Sequence, residues 1–190
     1  MQDILLSISI TTFNRSQKLG DILKKLHVLI DSSETPEAIE LLVTDNNSSD
    51  STSKVVSEFS KNKRKYSFNS FKNKKNLGSD VNFAKAVINA RGEFVWILAD
   101  DDDVESDSID ILFKSLSLNR DIGFCFMNYF KDFTKTYTAI GKEGGEWVRK
   151  ETFEEYFNEV FFSASFLSSC VFKRSLLPEE KLLEHVEGGY

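Results

Sequence analysis

Residues 97–104 read ILADDDDV, an apolar run that stops in Asp100, Asp101, Asp102 and Asp103. Two carboxylates about 4 Å apart repel by roughly 1 kcal/mol in water and about 4 kcal/mol at an effective dielectric near 20. A single aspartate capping the next helix is ordinary, but that leaves three more to account for. A hard divalent cation, Mg2+ or Mn2+, takes carboxylate oxygens and cancels their repulsion. Mg2+ usually binds through one or two carboxylates plus substrate phosphates, so the run points to a phosphorylated ligand.

Two more polar clusters follow apolar runs: TTFNR at 11–15 and TDNNSSD at 44–50. In the first, Arg15 has a guanidinium fork suited to phosphate, and Asn14 also fits an ordinary turn. In the second, Asp45 can accept a hydrogen bond from a nucleobase N–H or cap a helix starting near residue 50, and local sequence does not separate the two. Competing motifs fail. An EF-hand loop needs glycine sixth and glutamate twelfth. A loop starting at Asp101 has Ser106 and Leu112 there, and one starting at Asp45 has Asp50 and Val56. GxGxxG and GxxxxGK[ST] are both absent.

The elements that must position these clusters can be read from periodicity. LLSISITT (5–12), IELLVT (39–44) and GEFVWIL (92–98) have strand composition, and KYSFNSF (65–71) is a weaker strand. Leu19, Ile22, Leu23, Leu26 and Ile30 form one helical stripe within 16–30, with Ser16 as its expected N-cap. A helix follows the 45–51 turn. Another over 79–92 carries Val81, Ala84 and Ile88 in one stripe with Phe83 and Val87 beside it, Ser79 or Asp80 capping its start and Gly92 its end. A fourth, from about 107 to 118, carries Ile109, Leu112, Phe113 and Leu116. Strands alternating with helices predict an α/β fold with a mainly parallel central sheet flanked by helices. In such sheets ligands bind beyond the carboxyl ends of the strands, and chain order brings all three polar clusters there.

Past residue 120 the pattern changes. IGFCFMNYF and SFLSSCVF read as strands and KETFEEYFNEV as a short helix, in a Phe-rich stretch. Cys125 and Cys170 form no CxxC pair and fit small core residues of a reducing compartment. No stretch approaches 18 apolar residues and the start lacks a basic n-region, so a cytoplasmic chain is expected. The net charge of −6 argues against general nucleic-acid binding. The exception is KNKRKYSFNSFKNKK (61–75), with seven Lys or Arg around three aromatic residues. It reads either as an edge for peripheral contact with the inner face of a membrane or, preferably, as a solvated strand with loops.

Three stretches taken together resemble family 2 glycosyltransferases of the GT-A fold. SISITTFNR (7–15) resembles the opening SIVIPTYNR, with Thr11 in place of the proline, and ELLVTDNNSSDST (40–52) is similar to EIIVVDDGSTDGT. NLGSDVNFAKAVINARGEFVWILADDD (76–102) resembles the NxGxxxN…LgDDD block of abequosyl- and rhamnosyltransferase-like members. The resemblance covers about residues 5–118. It implies a nucleotide-diphosphate sugar donor held by Thr12, Asn14, Arg15, Asp45 (on the base) and Asp100 (toward the ribose). It further implies catalytic, metal-holding roles for Asp101 and Asp102. Aligned on D-x-D-D, the first aspartate falls at Ala99.

The activity implied is inverting transfer of a sugar to a hydroxyl of a saccharide or lipid-linked acceptor, in surface polysaccharide or lipopolysaccharide synthesis. Residues 1–118 form the expected donor-binding half and 119–190 the acceptor-side half, expected to be truncated at its C-terminus. The general base is unassigned, with Glu184 and Glu187 weak candidates and His185 read as a surface residue. The alternatives are a non-catalytic sugar-nucleotide-binding module and a sugar-nucleotide pyrophosphorylase. For the latter, TTFNRSQKLG lacks the glycine-rich basic loop.

Overall fold

The structure is a computed structural model that describes residues 3–127, 155 and 167–187. Six strands form one sheet: β1 (Leu6–Thr12), β2 (Ile39–Asp45), β3 (Ser67–Lys72), β4 (Phe94–Ala99), β5 (Phe124–Phe126) and β6 (Cys170–Lys173). Their order is β3-β2-β1-β4-β6-β5. The β1–β2, β2–β3 and β1–β4 pairs are parallel, whereas β6 runs antiparallel to both β4 and β5. The helices are α1 (Ser16–Asp31), α2 (Thr52–Ser60), α3 (Ser79–Ile88), α4 (Ser108–Leu118) and α5 (Glu179–Glu187). The expected α/β architecture is the one observed.

β2 is buried along its whole length and β1 and β4 nearly so, as strands covered on both faces must be. On one face Leu6, Ile8, Ile10, Leu41, Val43, Phe94, Trp96 and Leu98 pack against α1 and α4, with Phe59 of α2. On the other, Leu42, Val95 and Ile97 meet Val87 and Ala90 of the α3 segment and Leu182 of α5. The α1 stripe is buried as its spacing predicts.

α3 keeps Ala84 and Val87 of the expected face buried, but adds Asn82 and Ala86 and leaves Val81 and Ile88 partly exposed. Two contacts explain this. Ser9 Oγ donates to the Ala86 carbonyl at 3.4 Å, and Asn82 Nδ2 donates to the Thr44 carbonyl at 3.1 Å, so small and polar residues face the sheet. α3 stops at Ile88, four residues before Gly92. Gly92 is required for another reason: a Cβ there would lie 2.6 Å from Ser7 N, 2.8 Å from Phe94 O and 2.9 Å from Leu6 C, all backbone atoms.

Beneath the sheet's amino end, Glu40 is fully buried. Its carboxylate accepts from Ser7 Oγ (2.6 Å), Asn69 Nδ2 (2.8 Å), Arg91 N (2.9 Å) and Arg91 Nε (2.7 Å). A buried charge so fully paired ties β1, β2, β3 and the entry to β4 together. Cys125 and Cys170 are buried, as expected, and burial pushes their thiols up to about 12 and about 11. Among the described residues no helix is long and apolar enough to cross a membrane. The helix expected in KETFEEYFNEV lies outside the described residues except for Glu155.

Candidate active site at the carboxyl ends of the parallel strands

Register sets the site. Thr12 pairs with Asp45, and Thr11 pairs with Ala99, so Thr12, Asp45 and Asp100 end three adjacent parallel strands at one level. Thr12 Oγ1 donates to Asp100 Oδ2 at 2.7 Å, and Arg15 Nη1 donates to Asp100 Oδ1 at 2.9 Å. Asp100 is 3 % exposed and so is the buried anchor of the run. Arg15 also reaches Asp101 Oδ2 at 3.1 Å, and Lys18 Nζ meets the same oxygen at 3.0 Å. Lys25 pairs with Asp103, and Asp102 accepts from Ser168 Oγ.

The repulsion within the run is therefore met, within the chain, by Arg15, Lys18, Lys25 and the hydroxyls of Thr12 and Ser168. These partners went unread in the sequence, although Lys18 and Lys25 are seven residues apart and so share a face of α1. Electrostatics separates the four aspartates. The Lys18 hydrogen bond holds Asp101 below the usual carboxylate range against a burial penalty, with Arg15 adding to the effect. The Lys25 hydrogen bond does the same for Asp103. Burial raises Asp102, the Ser168 hydrogen bond opposes this, and the Asp101 and Asp100 charges add to the rise. The hydrogen bond to Asp100, then the charges of Asp100 and Asp101, raise Arg15 further.

The second wall is the β2–α2 loop. Asp45, 4 % exposed, accepts from Ser48 N (2.8 Å) and Ser48 Oγ (2.6 Å) through Oδ1, while Lys72 Nζ lies 3.6 Å from Oδ2. It shapes its own turn and does not cap α2. Asp50 does that: Oδ1 accepts from Thr52 N (3.0 Å) and Thr52 Oγ1 (2.6 Å), and Oδ2 accepts from Ser16 N (2.9 Å). One carboxylate thus closes the N-termini of both α1 and α2, replacing the cap expected of Ser16. Desolvation works against its ionisation, but the Thr52 and Ser16 hydrogen bonds prevail and bring it down to about 2.

Asn14 has φ 53°, a left-handed conformation that asparagine tolerates. Its Oδ1 accepts from Ser49 N at 2.8 Å and its N–H donates to Ser48 Oγ at 2.8 Å, joining the two loops. The third wall, 76–78, is held by Asn46. Its Nδ2 donates to Asn76 Oδ1 (2.8 Å) and Gly78 O (3.0 Å), and its Oδ1 accepts from Leu77 N (2.9 Å). α3 then starts after Gly78, without a side-chain cap from Ser79 or Asp80.

The structure brings Thr12, Asn14, Arg15, Asp45, Asp100, Asp101 and Asp102 together at the carboxyl ends of β1, β2 and β4. Glu184 is exposed on α5, and among the described residues no hydrogen bond or ion pair joins it to the aspartate run. The side chains of His185 and Glu187 lie outside the described residues. The basic 61–75 segment is partly absorbed by the fold. Arg64 lies over the Phe59 and Phe68 rings at 4.9 and 4.7 Å and donates to Phe59 O at 2.6 Å, while Lys65 and Lys72 meet Asp31 and Asp45.

Among the described residues no three carboxylate, His or Cys groups converge as a metal cage. The donor set still fits Mg2+ or Mn2+. Asp101 and Asp102 offer two carboxylates at an open crevice, the number such ions take when phosphates and water complete the shell. Asp102 Oδ1 accepts no hydrogen bond from any described residue.

A parallel four-strand unit with carboxylates at this edge, continued by antiparallel strands, is the architecture of GT-A glycosyltransferases. The family follows from the sequence: the profile of Glycosyl transferase family 2 matches residues 7–177, and the chain belongs to that family. It is 29% identical over 170 residues to abequosyltransferase RfbV of Salmonella typhimurium, covering 88% of this chain and 48% of that protein. It is likewise 29% identical over 186 residues to the GalNAc(5)-diNAcBac-PP-undecaprenol beta-1,3-glucosyltransferase of Campylobacter jejuni, covering 97% and 56%. The chain thus spans about half the length of these curated relatives.

Among solved structures, S. aureus TarS 1–349 in complex with UDP-GlcNAc matches with TM-score 0.65 at 18% identity, over 94% of this chain and 48% of that one. The mannosyltransferase PcManGT of Pyrobaculum calidifontis, in complex with GDP-Man and Mn2+, matches with TM-score 0.61 at 17% identity, over 96% and 47%.

Proposed function

We propose that this chain carries the donor site of an inverting glycosyltransferase that moves a sugar from a nucleoside-diphosphate sugar to a hydroxyl acceptor. The observation that carries this reading is the alignment of Thr12, Asp45 and Asp100 at the ends of three adjacent strands, with Asp101 and Asp102 beside them. Residues 1–118 make up the donor half. Asp45 Oδ2 accepts from the base, and Asp100, anchored by Thr12, faces the ribose. Arg15 and Lys18, both paired with Asp101, would be available to the diphosphate once Asp101 held a cation. Asn14 keeps the two walls in register.

Asp101 and Asp102 would hold Mg2+ or Mn2+. When bound, the cation stabilises the charge that develops on the departing diphosphate. Residues 119–190 belong to the acceptor side, where a carboxylate deprotonates the attacking hydroxyl. Glu184 and Glu187 are the candidates within this chain. The relatives in glycan assembly support a saccharide or lipid-linked acceptor in surface polysaccharide or lipopolysaccharide synthesis.

The test is a thermal-shift screen of UDP-, dTDP-, GDP- and CDP-sugars with and without Mn2+. A ligand that binds only the native state raises apparent stability by RT ln(1 + [L]/Kd). One nucleotide class should shift the melt in the presence of Mn2+, and Asp101→Asn should remove the Mn2+-dependent part. An unchanged shift in that variant would overturn the metal assignment, and no shift with any donor would overturn the function.

A further inference from the structure

The Asp102 carboxylate is aimed by a residue from the far end of the chain. β6 pairs with β4 only across Phe94, Val95 and Trp96, so the backbone ladder ends before Ala99. Ser168, 8 % exposed, takes over from there. Its carbonyl accepts the Trp96 indole N–H at 2.7 Å, and its Oγ accepts the Ala99 N–H at 3.0 Å. A serine hydroxyl has one proton to give. The Ala99 amide can only donate, so that proton points to the carboxylate oxygen Asp102 Oδ2. Both bonding directions of Ser168 are thereby fixed, with Trp96 itself only 3 % exposed beneath it. Asp102 Oδ1 is left without a hydrogen bond from any described residue.

We propose that Ser168 is a positioning residue for metal binding: it fixes the Asp102 rotamer and reserves Oδ1 for the cation. This rests on the reading of Asp101 and Asp102 as metal carboxylates. It assigns part of the donor site to the second half of the chain, beyond the segment that carries the donor motifs.

The experiment is an electron paramagnetic resonance titration of the 190-residue chain with Mn2+, alone and with UDP, GDP, CDP or dTDP. It compares the unaltered protein with Ser168→Ala, Ser168→Thr, Asp102→Asn and the double variant Ser168→Ala/Asp102→Asn. Loss of an outer-shell partner typically weakens metal affinity about 10- to 100-fold. Ser168→Ala should lose roughly 10-fold, Ser168→Thr, which keeps the hydroxyl, should retain affinity, and Ser168→Ala should add nothing in the Asp102→Asn background. If Ser168→Ala does not fold, Ser168→Cys carries the same expectation of weakened binding. Unchanged Mn2+ affinity in Ser168→Ala, with a loss in Asp102→Asn, overturns the positioning role and leaves the metal reading standing. A loss that adds in full to that of Asp102→Asn also overturns it, because Ser168 would then act on the fold alone. Unaltered binding in both Asp101→Asn and Asp102→Asn overturns the metal reading itself.

Discussion

Asp45 has two oxygens with different duties, and two substitutions separate them. Oδ1 takes both Ser48 donors, whereas Oδ2 faces Lys72 at 3.6 Å. Asp45→Ala removes both bonds and leaves the buried Ser48 amide without its acceptor, a cost of about 1–3 kcal/mol. Asp45→Asn keeps an acceptor at Oδ1 and changes only the second atom, replacing an anionic acceptor by a donor. The Lys72 pair is partly solvated and is worth about 0–1 kcal/mol, so Asp45→Asn should cost less than that. For a chain this size 1 kcal/mol moves the melting temperature by about 2–4 °C. Asp45→Ala should therefore melt about 2–12 °C lower, and Asp45→Asn should stay near the unaltered protein. Nucleotide affinity should follow the other oxygen. A hydrogen bond to a charged acceptor is worth about 1.5–3 kcal/mol, so both variants should bind roughly 10- to 100-fold more weakly by calorimetry. Native-like affinity in Asp45→Asn would reduce Asp45 to a turn residue. Equal loss of stability in the two variants would refute the division between the oxygens.

Two further outcomes follow from the same geometry. The Asp50 carboxyl lies at about 2 in the fold against 3.8 for the free group, so its stabilisation is complete above roughly pH 4 and fades as pH falls toward 2. Asp50→Asn replaces the Ser16 acceptor by a donor and should lower stability by about 1 kcal/mol at neutral pH, and thermal melts down to pH 2.5 should show the gap closing; a constant gap contradicts the assignment. Gly92→Ala must push apart backbone atoms at 2.6–2.9 Å, so it should cost at least about 1–3 kcal/mol in urea unfolding, and a neutral result would show that the β1–β4 approach is slack.

Periodicity made the sheet and α1 legible because both bury apolar side chains at regular intervals. The α1 stripe from Leu19 to Ile30 and the strands to either side of α1 needed nothing more. The inward face of α3 was legible only in part: Ala84, Val87 and Phe83 pack inward, but Asn82 on a strand carbonyl and Ala86 against Ser9 are contacts too polar or small to show. Apolar spacing does not register such pairs. The caps failed for a related reason. Ser16 and Ser79 stand where caps usually stand, but the first helix is closed by Asp50, 34 residues away, and Gly78 precedes the third. Chain order sufficed to gather the aspartates, Asp45 and the 11–15 cluster, since parallel strands align their ends. What stayed hidden was every partner supplied across the sheet: Lys18, Lys25 and Ser168 have no local pattern joining them to the run.

The pairing of β6 with β4 has a consequence for how the molecule comes together. Strands β1 to β4 pair with one another within residues 6–99, whereas β4 gains its second neighbour only from residues 170–173. The Ala99–Ser168 contact closes a separation of 69 residues, an entropic cost of roughly 4 kcal/mol when it forms from the unfolded chain. Long closures come late and slowly. Until it docks, β4 is an open edge exposing Phe94, Val95 and Trp96, an apolar strand with unpaired amides and carbonyls. Such an edge invites pairing with another chain. A polypeptide lacking residues 167–173 would therefore carry strands β1 to β4 with that apolar border uncovered, and β6 acts as an edge guard.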